Sequence, residues 1–273
     1  MTFQWVLSAE KAKKLILEDA TILDVRNQIA YLFGHIAGAV HVTWQQFSQP
    51  KLPDKGKLID DINVLEKQLG ALGIFNHKPV VVVGNPAHNF GEEGRIVWML
   101  RTLGHSQVAF VDGGYSALVK AGVPTTWGFS PHQEIGDFVV QRTGLWEIHR
   151  DEIKASLSHQ NFIIIDTREL REYTGSTPYG EQRGGHIPGA VHFYFKDLLD
   201  KDGNLLPRDK IMDKLENLGI ESSHPIAAYC TGGIRSAFFV AVLADLGFTN
   251  VKNYAGSMWE WSATSATNYP LEK

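Results

Sequence analysis

The stretch Pro225-Ile226-Ala227-Ala228-Tyr229-Cys230-Thr231-Gly232-Gly233-Ile234-Arg235-Ser236-Ala237-Phe238-Phe239-Val240-Ala241 decides the fold. Behind its proline, the apolar run before Cys230 reads as a short buried strand. From near Ser236 the chain continues as an apolar helix. Between the two lies a tight loop with the only cysteine in 273 residues. Strand, glycine-containing loop and helix, in that order, aim backbone N–H groups inward at the positive end of the helix dipole. A cysteine placed there ionises readily, and Arg235 adds a full positive charge at the end of the loop. A lone cysteine is commonly just a small buried hydrophobe. Here the flanking glycines, the strand-loop-helix context and the arginine five residues on favour a nucleophile in an anion-binding loop.

Outward from this stretch, the chain repeats itself. Ile22-Leu23-Asp24-Val25-Arg26 answers Ile164-Ile165-Asp166-Thr167-Arg168, 142 residues later, and Tyr31 answers Tyr173 at the same spacing. Gly34-His35-Ile36-Ala37-Gly38-Ala39-Val40-His41 answers Gly185-His186-Ile187-Pro188-Gly189-Ala190-Val191-His192. Pro79 through Gly84 answers Pro225 through Cys230, and 108–113 answers 251–256. Matching blocks in one order with small drifts mean duplicated domains with loop insertions. The main insertion falls in 175–183, a loop by composition. In the first half, helices expected at 9–18, 61–72 and 94–103 alternate with strands at 21–25, 80–83 and 107–111. Four-residue strands apolar at every position predict a parallel sheet with helices on both faces, an α/β fold. Active sites in such sheets lie at the carboxyl ends of the strands, where Cys230 falls. The join between halves is expected around 124–132, whose proline and glycine break any regular pattern and whose aromatics predict packing along the surface.

Composition suits two domains of about 130 residues each. Hydrophobic residues at 44% supply two cores, and a net charge of −4 gives no reason to expect nucleic acid or an anionic membrane as partner. No apolar run approaches the roughly 20 residues that span a bilayer. The N-terminus lacks a basic start followed by an apolar core, and a single cysteine forms no internal disulfide, so a reducing cytoplasm is expected. No metal or cofactor is called for, because eleven scattered histidines and one cysteine show no ligand spacing.

The chain resembles the two-domain rhodaneses, the thiosulfate and 3-mercaptopyruvate sulfurtransferase family. The resemblance rests on Asp-x-Arg, on Tyr-x-x-Gly-His-Ile-x-Gly-Ala, on Tyr254-Ala255-Gly256-Ser257 before Glu260-Trp261, and on the position of Cys230. It implies tandem rhodanese-like domains: residues 1–130 as a non-catalytic copy, a linker region at 131–145, and a catalytic domain at 146–273, with the site near their interface. Two positions depart from the family pattern. Met258 stands where Trp or Phe is usual, and Glu172 stands where many members carry arginine.

The silent copy is an internal control. It has Gly84 where the second half has Cys230, yet it keeps Asp24, Arg26 and His35. Asp166, Arg168 and His186 are therefore read as structural. Cations found only in the second half are the candidates for an anion pocket: Arg171, Arg183 and Arg235, the last paired by spacing with Asn89. The loop amides from Thr231 through Gly232, Gly233 and Ile234 to Ser236 are expected to hold the sulfur. The expected chemistry is ping-pong transfer of sulfane sulfur through a Cys230 persulfide, from thiosulfate to a thiophilic acceptor such as cyanide or a thiol. Arg235 inside the loop favours thiosulfate over 3-mercaptopyruvate as donor. Two alternatives stand beside it: 3-mercaptopyruvate as donor, or a sulfur-relay or regulatory module receiving persulfide from a protein donor. A protein is also a candidate sulfur acceptor. A cysteine phosphatase also uses a Cys-loop-Arg, but with five residues between the two where this chain has four.

Overall fold

The computed structural model describes residues 3–130, 134–159 and 161–273. The first half builds a parallel sheet from β1 (Val6–Leu7), β2 (Thr21–Asp24), β4 (Val40–His41), β5 (Val80–Val83) and β6 (Val108–Val111), in the order β1-β6-β5-β2-β4. A short antiparallel pair, β3 (His35–Ile36) with β7 (Thr125–Thr126), closes one end. The second half builds a parallel sheet from β8 (Ile163–Asp166), β9 (Val191–His192), β10 (Ile226–Tyr229) and β11 (Val251–Asn253), in the order β11-β10-β8-β9. Glu147 adds a single parallel bridge beside Asn253, in the place β1 holds beside β6.

The helices are α1 (Ala9–Leu17), α2 (Gln28–Phe33), α3 (Ile62–Ala71), α4 (Glu92–Thr102) and α5 (Gly114–Lys120) in the first half. They are α6 (Arg150–Ser156), α7 (Leu170–Tyr173), α8 (Arg208–Glu216), α9 (Arg235–Asp245) and α10 (Ser257–Ala263) in the second. Their starts have local causes. Ser8 and Asp61 accept backbone N–H groups as N-caps of α1 and α3. None of the described helices is long and apolar enough to cross a membrane.

The two halves share one core. Leu65 and Leu69 of α3, Ile211 and Leu215 of α8, and the buried faces of α4 and α9 belong to a single apolar cluster. Each sheet has a second cluster on its outer face, so each domain is a layered helix-sheet-helix sandwich. Both α4 and α9 are buried on nearly every side, as expected of central helices. They cross backbone to backbone: a Cβ on Gly94 would lie 2.3 Å from Phe238 Cα, so only glycine permits the approach. Asp245 on α9 accepts the N–H groups of Trp5 and Val6 at 2.8 and 3.1 Å, tying the second domain to the first sheet.

The segment after β7 follows the first domain. The Gly136, Phe138 and Gln141 amides donate to the carbonyls of Gly70, Ile74 and Leu103, and Phe138 and Val140 are buried. In the join itself Trp127 and Phe129 are more than three-quarters exposed, so backbone pairing in β7 rather than its aromatics holds it down. Pro131 and His132 of the join lie outside the described residues.

The residues kept in both halves do the same work twice. Arg26 grips Asp24 and donates to the Gly34 carbonyl at 2.7 Å; Arg168 grips Asp166 and donates to the Gly185 carbonyl at 2.7 Å. His35 stacks on Tyr31 and donates from Nδ1 to its carbonyl, and His186 does so with Tyr173. These bonds staple the loop after the first long strand of each domain to the next turn.

Candidate active site

In the second sheet, β8 leads outward to β9 and the chain then returns to place β10 on the other side of β8. The order reverses between β8 and β10, and the crevice outside their carboxyl ends is the natural site. Cys230 follows β10 there, and the segment carrying Glu172 follows β8. The Cys230 backbone is fixed on both sides: its N–H donates to Ser257 Oγ at 3.1 Å, and its carbonyl accepts from Met258 N–H at 3.2 Å. The loop then turns through Gly233 at φ +78°, where a Cβ would sit 2.6 Å from Ala255 Cα. That turn aims the Gly233 N–H at Cys230 Sγ, 3.1 Å away.

The thiol is almost wholly buried, which by itself would raise its pKa. The Arg235 charge, the Ser236 amide and hydroxyl, and the Gly232 amide more than offset this, and the pKa falls below the ordinary thiol value. A second cation helps from the other domain. Arg95 on α4, buried over Trp98, donates to the Gly233 carbonyl at 3.3 Å and to the Gly56 carbonyl at 2.6 Å. Burial lowers its own pKa to about 10, and the Cys230 thiolate is among the charges that favour its cationic form.

Arg235 lies at the first position of α9 and is 4% exposed. It is not a free cation. Its guanidinium meets both oxygens of buried Glu172 at 2.7 and 2.8 Å and donates to Thr231 Oγ1 at 2.6 Å. Burial alone would raise the Glu172 pKa, but this pairing brings it below the usual carboxylate range. Glu181, from the insertion, lies 3.2 Å from Thr231 Oγ1. Glu172, the departure from the family pattern, thus pairs with Arg235, which still lines the cavity and acts on the Cys230 sulfur.

The other two arginines lie elsewhere. Arg171 is more than half exposed, pairs with Glu169 at 2.6 Å, and does not line the cavity. Arg183 spends its guanidinium on the carbonyls of Trp261, Ser262, Thr264 and Tyr269, and so straps the C-terminal segment rather than facing an anion pocket. Thr231, Gly232, Ile234 and Arg235 line the cavity with Cys230; Gly233 and Ser236 stand behind them, against the sulfur. Met258 is fully buried in the apolar cluster that holds Trp261 and Tyr254.

The cavity measures about 250 Å³ and straddles the two domains. The first domain gives it Trp44, Gln45, Phe90 and Glu92; the second adds Tyr179 and Trp259 to the loop residues. The aromatics form two cross-domain pairs, Phe90 with Tyr179 (ring centroids 6.0 Å apart) and Trp44 with Trp259 (6.5 Å). None of these first-domain residues was singled out from the sequence. Only the site's expected place at the interface pointed toward them.

A buried cysteine in an amide-lined loop, at the carboxyl end of a parallel sheet in a duplicated α/β fold, points to the class of protein. The "Rhodanese-like domain" family model matches residues 8–121 and again 149–264. The chain is 30% identical over 256 residues to a protein named thiosulfate sulfurtransferase from Azotobacter vinelandii, covering 93% of this chain and 92% of that one. It is 26% identical over 270 residues to a protein named 3-mercaptopyruvate sulfurtransferase from Mus musculus, covering 94% and 90%. The structure of SseA from Escherichia coli superposes with a TM-score of 0.80 at 24% identity, covering 93% of this chain and 98% of that one. The chain belongs to the rhodanese family, as a tandem pair of its domains, and is a sulfurtransferase.

Proposed function

We propose that this sulfurtransferase carries sulfane sulfur as a persulfide on Cys230, with thiosulfate as donor and a thiol as acceptor. The observation that carries this reading is the Gly233 N–H held 3.1 Å from a thiol whose pKa is lowered by Arg235 and the loop amides. The Cys230 thiolate pair attacks the outer sulfur of thiosulfate, the S–S bond breaks, and its electrons leave with sulfite. The persulfide keeps the loop N–H groups as donors. An acceptor thiolate then attacks the outer sulfur, and the bonding pair returns to Cys230. This reading assigns no general base to the first step, since the loop and Arg235 favour the thiolate and sulfite leaves as an anion.

Thiosulfate as donor is supported by the name of the Azotobacter relative. The preference for it over 3-mercaptopyruvate loses its expected basis, because Arg235 is occupied by Glu172. Neither a sulfite end nor a carboxylate meets an unpaired cation among the described lining residues. In this reading Arg235 acts on the thiolate and the loop, whichever donor is used. The test is mass spectrometry of the intact protein and its peptides after incubation with thiosulfate. One added sulfur on the Cys230 peptide, removed by a thiol, is expected; an unmodified Cys230 overturns the proposal.

A further inference from the structure

The helix starts align differently from the sequence spacing. Both α4 and α9 are 11 residues long, and their first residues, Glu92 and Arg235, stand 143 apart. That is also the spacing of β6 and β11, which begin at Val108 and Val251. Glu92, not Asn89, is thus the structural counterpart of Arg235, and the silent half carries the opposite charge at the equivalent place. Because α4 packs on α9 across the domains, Glu92 is delivered into the cavity over Cys230 and lines it.

The charges around the cavity are unequal. Arg235 is matched by Glu172. Glu92 accepts the Phe90 N–H at 2.8 Å but has no ion pair among the described residues. Burial raises its pKa above the ordinary carboxylate value, opposed by the Phe90 N–H and by the field of Lys196, whose ammonium donates a hydrogen bond to the Ala87 carbonyl. Lys55 lies 5.6 Å from the Trp259 ring and does not line the cavity. The unmatched charge facing a bound molecule is negative. Around it stand Trp44, Phe90, Tyr179 and Trp259, aromatic surroundings that favour cations. The Arg235 guanidinium already lies 5.8 Å from the Phe90 ring and 5.5 Å from the Tyr179 ring, as Lys55 lies by that of Trp259. A space of about 250 Å³ also exceeds what cyanide or sulfite would fill.

We propose that Glu92, contributed by the non-catalytic domain, is a specificity-determining residue that selects sulfur acceptors by charge, favouring organic thiols with a cationic group near the sulfur over anionic ones. The inference rests on the Cys230 persulfide proposed above. The acceptor thiol loses its proton to solvent, its thiolate attacks the outer persulfide sulfur, and the acceptor leaves as its own persulfide. Glu92 takes no part in that exchange. It meets the ammonium end of the acceptor while the aromatic pairs flank the carbon chain.

The test separates loading from discharge. Cys230 is loaded with thiosulfate, excess donor is removed, and discharge is followed by mass spectrometry with cysteamine, 2-mercaptoethanol and 3-mercaptopropionate. These thiols are close in size and carry positive, zero and negative charge. Rates are normalised to thiolate concentration and to the neutral thiol. In the wild type, cysteamine is expected to exceed 3-mercaptopropionate by at least about tenfold, the scale of one charge contact in a half-buried site. The gap should narrow as salt is raised, and Glu92→Gln should flatten it. A wild type indifferent to acceptor charge, or a preference that survives intact in Glu92→Gln, overturns the inference while leaving the persulfide reading in place. Failure to load Cys230 overturns that reading and this inference with it.

Discussion

The loop after β5 and the loop after β10 are two versions of one turn. In both, the residue after the strand gives its carbonyl to the first turn of the next short helix: Gly84 to Tyr115 N–H at 3.0 Å, Cys230 to Met258 N–H at 3.2 Å. In the catalytic half, Arg235 and the loop amides surround a sulfur. In the silent half, the longer loop brings Glu93 into the space a side chain would need, and a Cβ on Gly84 would lie 2.2 Å from Glu93 Oε2. The first domain does not simply lack a side chain where the second has Cys230. A carboxyl group fills its place, and a second carboxylate, Glu92, turns toward the working site. The silent half has become wall and strap for the other: Trp44, Phe90 and Glu92 line the cavity, and Arg95 holds the Gly233 carbonyl.

The largest effect expected from breaking this asymmetry is on Cys230 itself. Cys230→Ser should fold and lose all sulfur transfer, because a serine hydroxyl stays protonated and holds no sulfane sulfur. Adding Gly84→Cys to it should restore nothing. The new side chain meets Glu93, and the loop there contains Pro86, which has no N–H to give. Sulfurtransferase assays on the single and double variants decide it; turnover above background in either one would refute the division of labour.

The second effect concerns Arg235. In Arg235→Ala the Glu172 carboxylate loses its partner while buried, and removing one member of such a pair costs about 3–5 kcal/mol. Denaturant unfolding of this variant, beside Arg235→Ala with Glu172→Gln, should show part of that loss recovered when the stranded charge is removed. The Cys230 alkylation midpoint should rise in both, since the cation acting on the thiolate is gone. Thiosulfate and 3-mercaptopyruvate activities should fall together. A loss confined to thiosulfate would mean that Arg235 leaves Glu172 and binds the donor after all.

This contrast shows what could be read from the chain. The strand, the glycine turn and the helix around Cys230 are local signals, and α9 begins at Arg235, one residue before the position expected. The duplicated staples were legible because their residues recur in order. The partner of Arg235 was not, since Glu172 comes from the segment after β8, 63 residues away, and only the sheet order brings the two together. Spacing through a loop of unequal length also paired Arg235 with Asn89. The helices, whose lengths match, pair it with Glu92. The charge balance of the cavity depends on contacts across domains, which no periodicity encodes.

The smallest effect is also the most direct probe of the silent loop. Glu93 is fully buried; burial first, and then the Glu92 charge, raise its pKa from 4.5 to about 7, while a hydrogen bond from Asn89 Nδ2 opposes the shift. Between those two values the native state holds a proton that the unfolded chain has released. Stability from this group therefore falls as pH rises through the window, and the full cost is present above about pH 7. At about 1.4 kcal/mol per pH unit, the native carboxylate costs on the order of 3 kcal/mol at pH 8. Glu93→Gln keeps an oxygen to accept from Asn89 and removes the ionisation. Its unfolding free energy should exceed that of the wild type by roughly this amount at pH 8, with the difference shrinking toward pH 5. Denaturant titrations of both proteins at the two pH values measure it. A difference that does not change with pH would show that Glu93 ionises in the folded protein as freely as in the unfolded one, and that the silent loop hides no strained charge.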